Sequence, residues 1–104
     1  MYPMAHDIEY LLVTKGLSVP QVAARTRVTT RRIYQYTAAR NLPRNTPIKS
    51  GSALERQIVM ALVVTNMDIP GVARVYSQAP INIKNMIARI RKGAPRAARL
   101  HRSR

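Results

Sequence analysis

Thr30, Arg31, Arg32 and Gln35 fall within the stretch "TRRIYQ" of a 104-residue chain. On an α-helix successive side chains are ~100° apart. Ile33 and Tyr36 then mark an inner side and leave those four polar residues outward. The chemistry such a set can do is recognition by hydrogen bonds. The planar fork of an arginine matches the paired acceptors on a guanine edge. Covalent chemistry has no comparable group. The four acids are Asp7, Glu9, Glu55 and Asp68; three look like helix-start residues, and none forms a spaced pair for metal-assisted phosphoryl transfer. There is no glycine-rich phosphate loop and no nucleophile with a base at hand. His6 and His101 are isolated and there is no cysteine, so neither a metal site nor a cofactor is expected. The chain reads as a non-enzyme.

Charge points to the partner. Lys and Arg number 18 against 4 Asp and Glu, a formal net charge of +14. So large an imbalance calls for a polyanion, with nucleic acid ahead of a membrane surface. The longest apolar run, "IVMALVV" at 58–64, is far short of the ~20 residues a bilayer needs. "MYPMAHDIEY" has neither the basic start nor the apolar core of an export signal, so a cytoplasmic, nucleoid-associated location is expected. Without Trp, Phe or Cys, any core must be built from Ile, Leu, Val, Met, Ala and Tyr, which suits packed helices.

The positions that would supply this core occur twice. At an offset of fifty residues Ile8 falls on Ile58, Leu12 on Leu62, Val13 on Val63, Pro20 on Pro70, Val22 on Val72, Ala23 on Ala73 and Ile33 on Ile83. Each copy reads as three short helices, giving an all-α chain of two tandem three-helix units. In the first, a helix through Ile8, Leu11 and Leu12 ends at Gly16. Ser18 caps a second helix with Pro20 in its first turn, and Thr29 caps a third that runs from Thr30 to about Arg40 and stops at Asn41-Leu42-Pro43. In the second copy Asp68 is a cap, Pro80 opens the last helix, and Gly93 with Pro95 ends it. The implied divisions are a first unit at 1–43, an exposed, semi-extended basic linker at 44–54, a second unit at 55–93 and a basic flexible tail at 94–104.

"LSVPQVAARTRVTTRRIYQY" resembles the helix-turn-helix DNA-binding superfamily: a capped short helix with Val-Ala at its centre, a tight turn, then an apolar residue and a Thr opening a recognition helix. The likeness covers residues 5 to 43 well and 55 to 92 less well. It departs at the turn, where the superfamily's usual glycine is replaced by Arg27 and Ser77; in the second copy Val28 becomes Gln78 and Thr29 becomes Ala79. The tandem arrangement with a basic linker is similar to the paired-like end-binding domains of some transposases.

From residues and resemblance together, the expected partner is double-stranded DNA, entered through the major groove by the helix beginning at Thr30. Base contacts fall to Thr30, Arg31, Arg32 and Gln35, and in the second copy to Asn82 and Asn85, with Ile81 beside a thymine methyl. Phosphate contacts fall to Arg25, Arg27, Thr29, Tyr34, Arg44, Lys49, Lys84, Arg89, Arg91, Lys92, Arg96 and Arg99. A phage-, plasmid- or bacterial-type transcriptional regulator fits this best. A targeting module for a transposase, recombinase or packaging enzyme, recruiting a larger protein partner, is the first alternative; an adaptor whose basic surface docks RNA or an acidic protein is the second. The helix at 58–64 is apolar around nearly its whole circumference and calls for contacts on two sides, from a homodimer partner or from the first unit.

Overall fold

The computed structural model describes residues 5–102, with side chains described for 7–93. These residues are all-helical. Helix α1 (Ala5–Glu9) runs on into a π-helical turn, Tyr10–Thr14; α2 is Val19–Thr26, α3 Thr30–Arg40, α4 Ala53–Val64, α5 Ile69–Val75 and α6 Pro80–Arg102.

Two separate cores hold them. Ile8, Leu12, Val19, Val22 and Ile33 are buried together from α1, its π turn, α2 and α3, with Leu11, Val28, Tyr36 and Leu42 packed around. Ile58, Leu62, Val72, Ala73, Ile83 and Met86 make the second core, from α4, α5 and α6. Four of the pairs matched by the fifty-residue offset, Ile8/Ile58, Leu12/Leu62, Val22/Val72 and Ile33/Ile83, are buried in both. Val13 and Val63 match in sequence but are exposed.

Local chemistry sets the element ends. The Ser18 hydroxyl accepts from the Gln21 backbone N–H while the Gln21 side chain accepts from the Ser18 backbone N–H, a reciprocal cap that opens α2. The Asp68 carboxylate accepts from the Gly71 N–H at the head of α5. Helix α3 ends on Asn41 in the left-handed region, at φ 55°. At the first turn of α4 the Ser52 hydroxyl accepts from the Glu55 N–H. The Glu55 carboxylate in turn accepts from the Gly51 N–H and pairs with Arg89 of α6 at 2.6 Å. These contacts, the Gly51 bond foremost, hold the Glu55 carboxyl below its ordinary range. A depressed carboxyl contributes stability above its unfolded pKa and loses it as pH falls through the folded one.

Three sequence expectations need correction. Helix α6 does not stop at Gly93 but continues past Pro95 to Arg102, so the stretch 94–102 belongs to a helix rather than to a flexible tail. Ala94, Ala97, Ala98 and Leu100 are strong helix formers, so only Gly93 and Pro95 oppose the helix in this stretch. The linker is not exposed throughout, because Asn45 is 2% exposed and lies between the two helical groups. The first group does not cover the outer face of α4, where Met60, Val63 and Val64 are 64%, 70% and 77% exposed.

Ile33 and Ile83 are both fully buried. Ile33→Ala should lower stability by about 2 to 5 kcal/mol in a urea titration. A loss below 1 kcal/mol would mean that α3 is not anchored by this residue.

Candidate nucleic-acid interface

The candidate site is α3 with the turn before it. Helix α2 closes on Arg27 at φ 60°, and the second copy has Ser77 at φ 53° in the corresponding place. A left-handed backbone at a residue with a side chain costs about 1 to 2 kcal/mol. The turn is supported by Thr26, whose hydroxyl donates to the Val22 carbonyl at 2.8 Å and accepts from the Val28 N–H at 3.3 Å. Val28 packs against the first core, and the chain then enters α3 at Thr29. The Thr29 hydroxyl accepts from the Arg32 N–H at 3.3 Å, which fixes the first turn of α3.

Below that turn, Ile33 and Thr37 are buried and Tyr36 is half-buried, so the helix faces the core along one stripe. Thr30, Arg31, Arg32 and Gln35 are exposed on the remaining surface. Arg25, Arg27 and Thr29 are exposed around the turn. Arg25, Arg27, Arg31 and Arg32 pair with no carboxylate among the described residues, so this end of the molecule holds uncompensated positive charge. Tyr34 is 42% exposed, with the Arg44 guanidinium 5.5 Å from its ring centroid. That contact holds a linker cation beside α3. Arg40 sits similarly over Tyr36, at 5.1 Å.

The corresponding end of α6 is arranged differently. The Asn82 side-chain amide donates to the Gly16 carbonyl at 2.9 Å, to Asn45 Oδ1 at 3.1 Å and to Gln78 Oε1 at 3.2 Å. Those are contacts within the protein, so the expected pairing of Asn82 with a base is corrected: its donors face the first helical group. Lys84 and Asn85 are exposed, as are Lys49, Arg91 and Lys92. Arg89 is exposed but carries Glu55 as its partner, which lessens its fitness for phosphate. The side chains of Arg96 and Arg99, with those of His6 and His101, lie outside the described residues.

Sequence reasoning missed Asn45. Its backbone has φ 59° and its N–H donates to the Ser77 carbonyl at 2.9 Å. Its side-chain Nδ2 donates to the carbonyls of Leu12 and Leu17 at 2.8 and 2.7 Å, while Oδ1 accepts from the Ala79 N–H at 2.7 Å. The available signal was the pair of second-copy departures, Gln78 and Ala79. Gln78 donates to the Thr46 carbonyl at 2.6 Å, and Ala79 gives its N–H to Asn45.

No family model, curated protein or solved structure matches this chain. Among the described residues no helix is long and apolar enough to cross a membrane.

Thr29→Ala should cost about 1 kcal/mol of stability by removing the cap on α3. Thr29→Ser should restore it, both read by thermal or urea melts. Equal melts for all three proteins would show that the hydroxyl does not hold the helix start.

Proposed function

We propose that this is a sequence-selective double-stranded DNA-binding protein of the helix-turn-helix kind, a phage-, plasmid- or bacterial-type transcriptional regulator that acts by occupying its site. One observation carries the reading. The first turns of α3 present Thr30, Arg31, Arg32 and Gln35 outward from a helix whose opposite side is sealed into a core. A helix so mounted can enter the major groove and put its N-terminal side chains against base edges. Arg31, and Arg32 beside it, supply the donor fork for guanine; Gln35 supplies an amide for adenine. Arg25, Arg27 and the Thr29 hydroxyl meet phosphates at the rim, with Arg44 and Lys49 from the linker adding to them. The net charge of +14 favours association with DNA and makes it strongly salt-dependent. A regulator of this kind works in the cytoplasm, on the nucleoid.

The alternative as a targeting module differs by the recruitment of a larger protein to the bound site. For the alternative as an RNA adaptor, competition between duplex DNA and hairpin RNA at moderate salt is decisive. Duplex should win; a preference for the hairpin would overturn the DNA reading. On a bound duplex, Arg31→Ala should cost about 1 to 3 kcal/mol and relax preference at one base step. Arg91→Ala should weaken specific and random duplexes alike and make the salt dependence shallower. Equal losses on specific and random DNA for both variants would contradict this division of work.

The outer face of α4 supports a second copy of the chain as a further partner. Met60 and Val64 line an open groove of about 630 Å³ with Ala61 and Tyr76, and Val63 of the same helix is exposed as well. Exposed apolar side chains grouped on one helix favour association. Light scattering should report about twice the chain mass for the native protein and the single-chain mass for a Val63→Glu, Val64→Glu variant. A single-chain mass for both would remove the dimer.

A further inference from the structure

Among the described residues the two helical groups share no buried hydrophobic cluster. Where they meet, the hydrogen bonds of Asn45 and Asn82 are accompanied by two clefts of about 270 and 230 Å³, the first lined by apolar side chains of both groups, Val13, Leu42 and Pro43 with Pro70, Ala73 and Pro80, the second by Gly16, Asn45, Pro47, Asn82 and Arg89. Apolar contact is non-directional, so the relative orientation of α3 and α6 is specified by the hydrogen-bond network. Asn45 is its hub. An asparagine side chain has two N–H donors and two acceptor lone pairs, and here two carbonyls of the first group take the donors while Ala79 and Asn82 of the second take the oxygen. A buried network with every group satisfied specifies one arrangement, because any other leaves polar atoms unpaired.

Gly16 completes the fit. Its backbone is at φ 69°, and a Cβ built there would lie 2.8 Å from the Ile81 side chain and closer still to Asn82. The head of α6 is thus seated against the turn between α1 and α2. By the fifty-residue offset, this head is the counterpart of the α3 head, with Asn82 at the position of Arg32.

We infer that the second unit is not a second reading head: the head of α6 is a dock, and Asn45 is the positioning residue that locks it, so that α3 alone selects sequence while the exposed cations Lys84, Arg91 and Lys92 of α6 are held in a fixed place for flanking phosphates. The base-reading part of this rests on the duplex-binding reading above; the dock does not. The copy that keeps Thr29 and Val28 reads, and the copy that replaced them with Ala79 and Gln78 has turned the same helix end toward its neighbour. The flanking cations gain from the lock because a tethered but mobile arm contributes less to affinity than one already in position.

The chain lacks cysteine, so paired spin labels can be placed cleanly at Ala38→Cys on α3 and Ala88→Cys on α6, both exposed. Pulsed dipolar spectroscopy on the full chain should give one narrow distance distribution, several-fold broader with Asn45→Ala and also with the milder Asn82→Ala. On duplex DNA both substitutions should lower affinity several-fold and flatten its salt dependence, while the preferred sequence stays as it was. A broad distribution in the parent chain, or one unchanged by either substitution, would overturn the dock. Asn82→Ala relaxing preference at one base step would overturn the assignment of reading to α3 alone. If no duplex binds at all, the functional reading fails, and the distance distributions still decide the dock.

Discussion

Complete burial of Ile33 is the constraint from which the rest of the first helical group follows. A helix turns ~100° with each residue, so once Ile33 and Thr37 are fixed in the core, Arg31 and Gln35 have only solvent to face. The strand of turn before α3 is shaped to allow that burial. Thr26 ties back to Val22, Arg27 accepts a left-handed backbone, Val28 packs against the core, and Thr29 caps the new helix. A cost of about 1 to 2 kcal/mol at Arg27 is small beside the burial of Val28 and Ile33 that the turn makes available. What results is a helix backed by the core whose cations, at its exposed start, pair with no carboxylate among the described residues, which is the property the proposed DNA contact depends on.

The second helical group obeys the same constraint through Ile83 but has a different outward face. With Ala79 in place of Thr29, the start of α6 has no cap of its own. The Asn82 N–H, counterpart of the Arg32 N–H that Thr29 takes, donates to the Ala79 carbonyl, while the side-chain oxygen of Asn45, thirty-four residues earlier, accepts the N–H of Ala79 itself. This long-range bond fixes the residue from which α6 starts and joins the two groups. It explains why the copies share apolar positions yet diverge at the helix start: the core is common to both, whereas one exposed face is left to solvent and the other to a neighbour.

Much of this was legible in the sequence because it is local. Ser18, Thr29 and Asp68 announce helix starts through chemistry confined to three residues, Asn41 announces a stop, and Ile33, Ile58 and Ile83 stand in a repeat that only shared cores explain. The all-helical character and the outward position of Arg31 and Arg32 follow from such signals. Asn45 was hidden for the opposite reason. In "LPRNTPIKSGS" it looks like one more turn former, and its partners Leu12, Leu17 and Ala79 are far away in the chain. Asn82 misled in the same manner, since a polar residue at a helix start reads the same whether it faces solvent or another part of the protein. Gly93 and Pro95 are strong local stop signals, so the continuation of α6 through them to Arg102 was not legible in the sequence.

Selection of bound sequences from a pool of random duplexes bears hardest on α3 as a groove-reading helix. A short conserved core should emerge with guanine at one or more steps, appearing once for a single chain or as an inverted pair if two chains associate, and the same selection with Arg31→Ala should lose the guanine preference at one step. A pool that yields no enriched core, or one unchanged by Arg31→Ala, would contradict the reading.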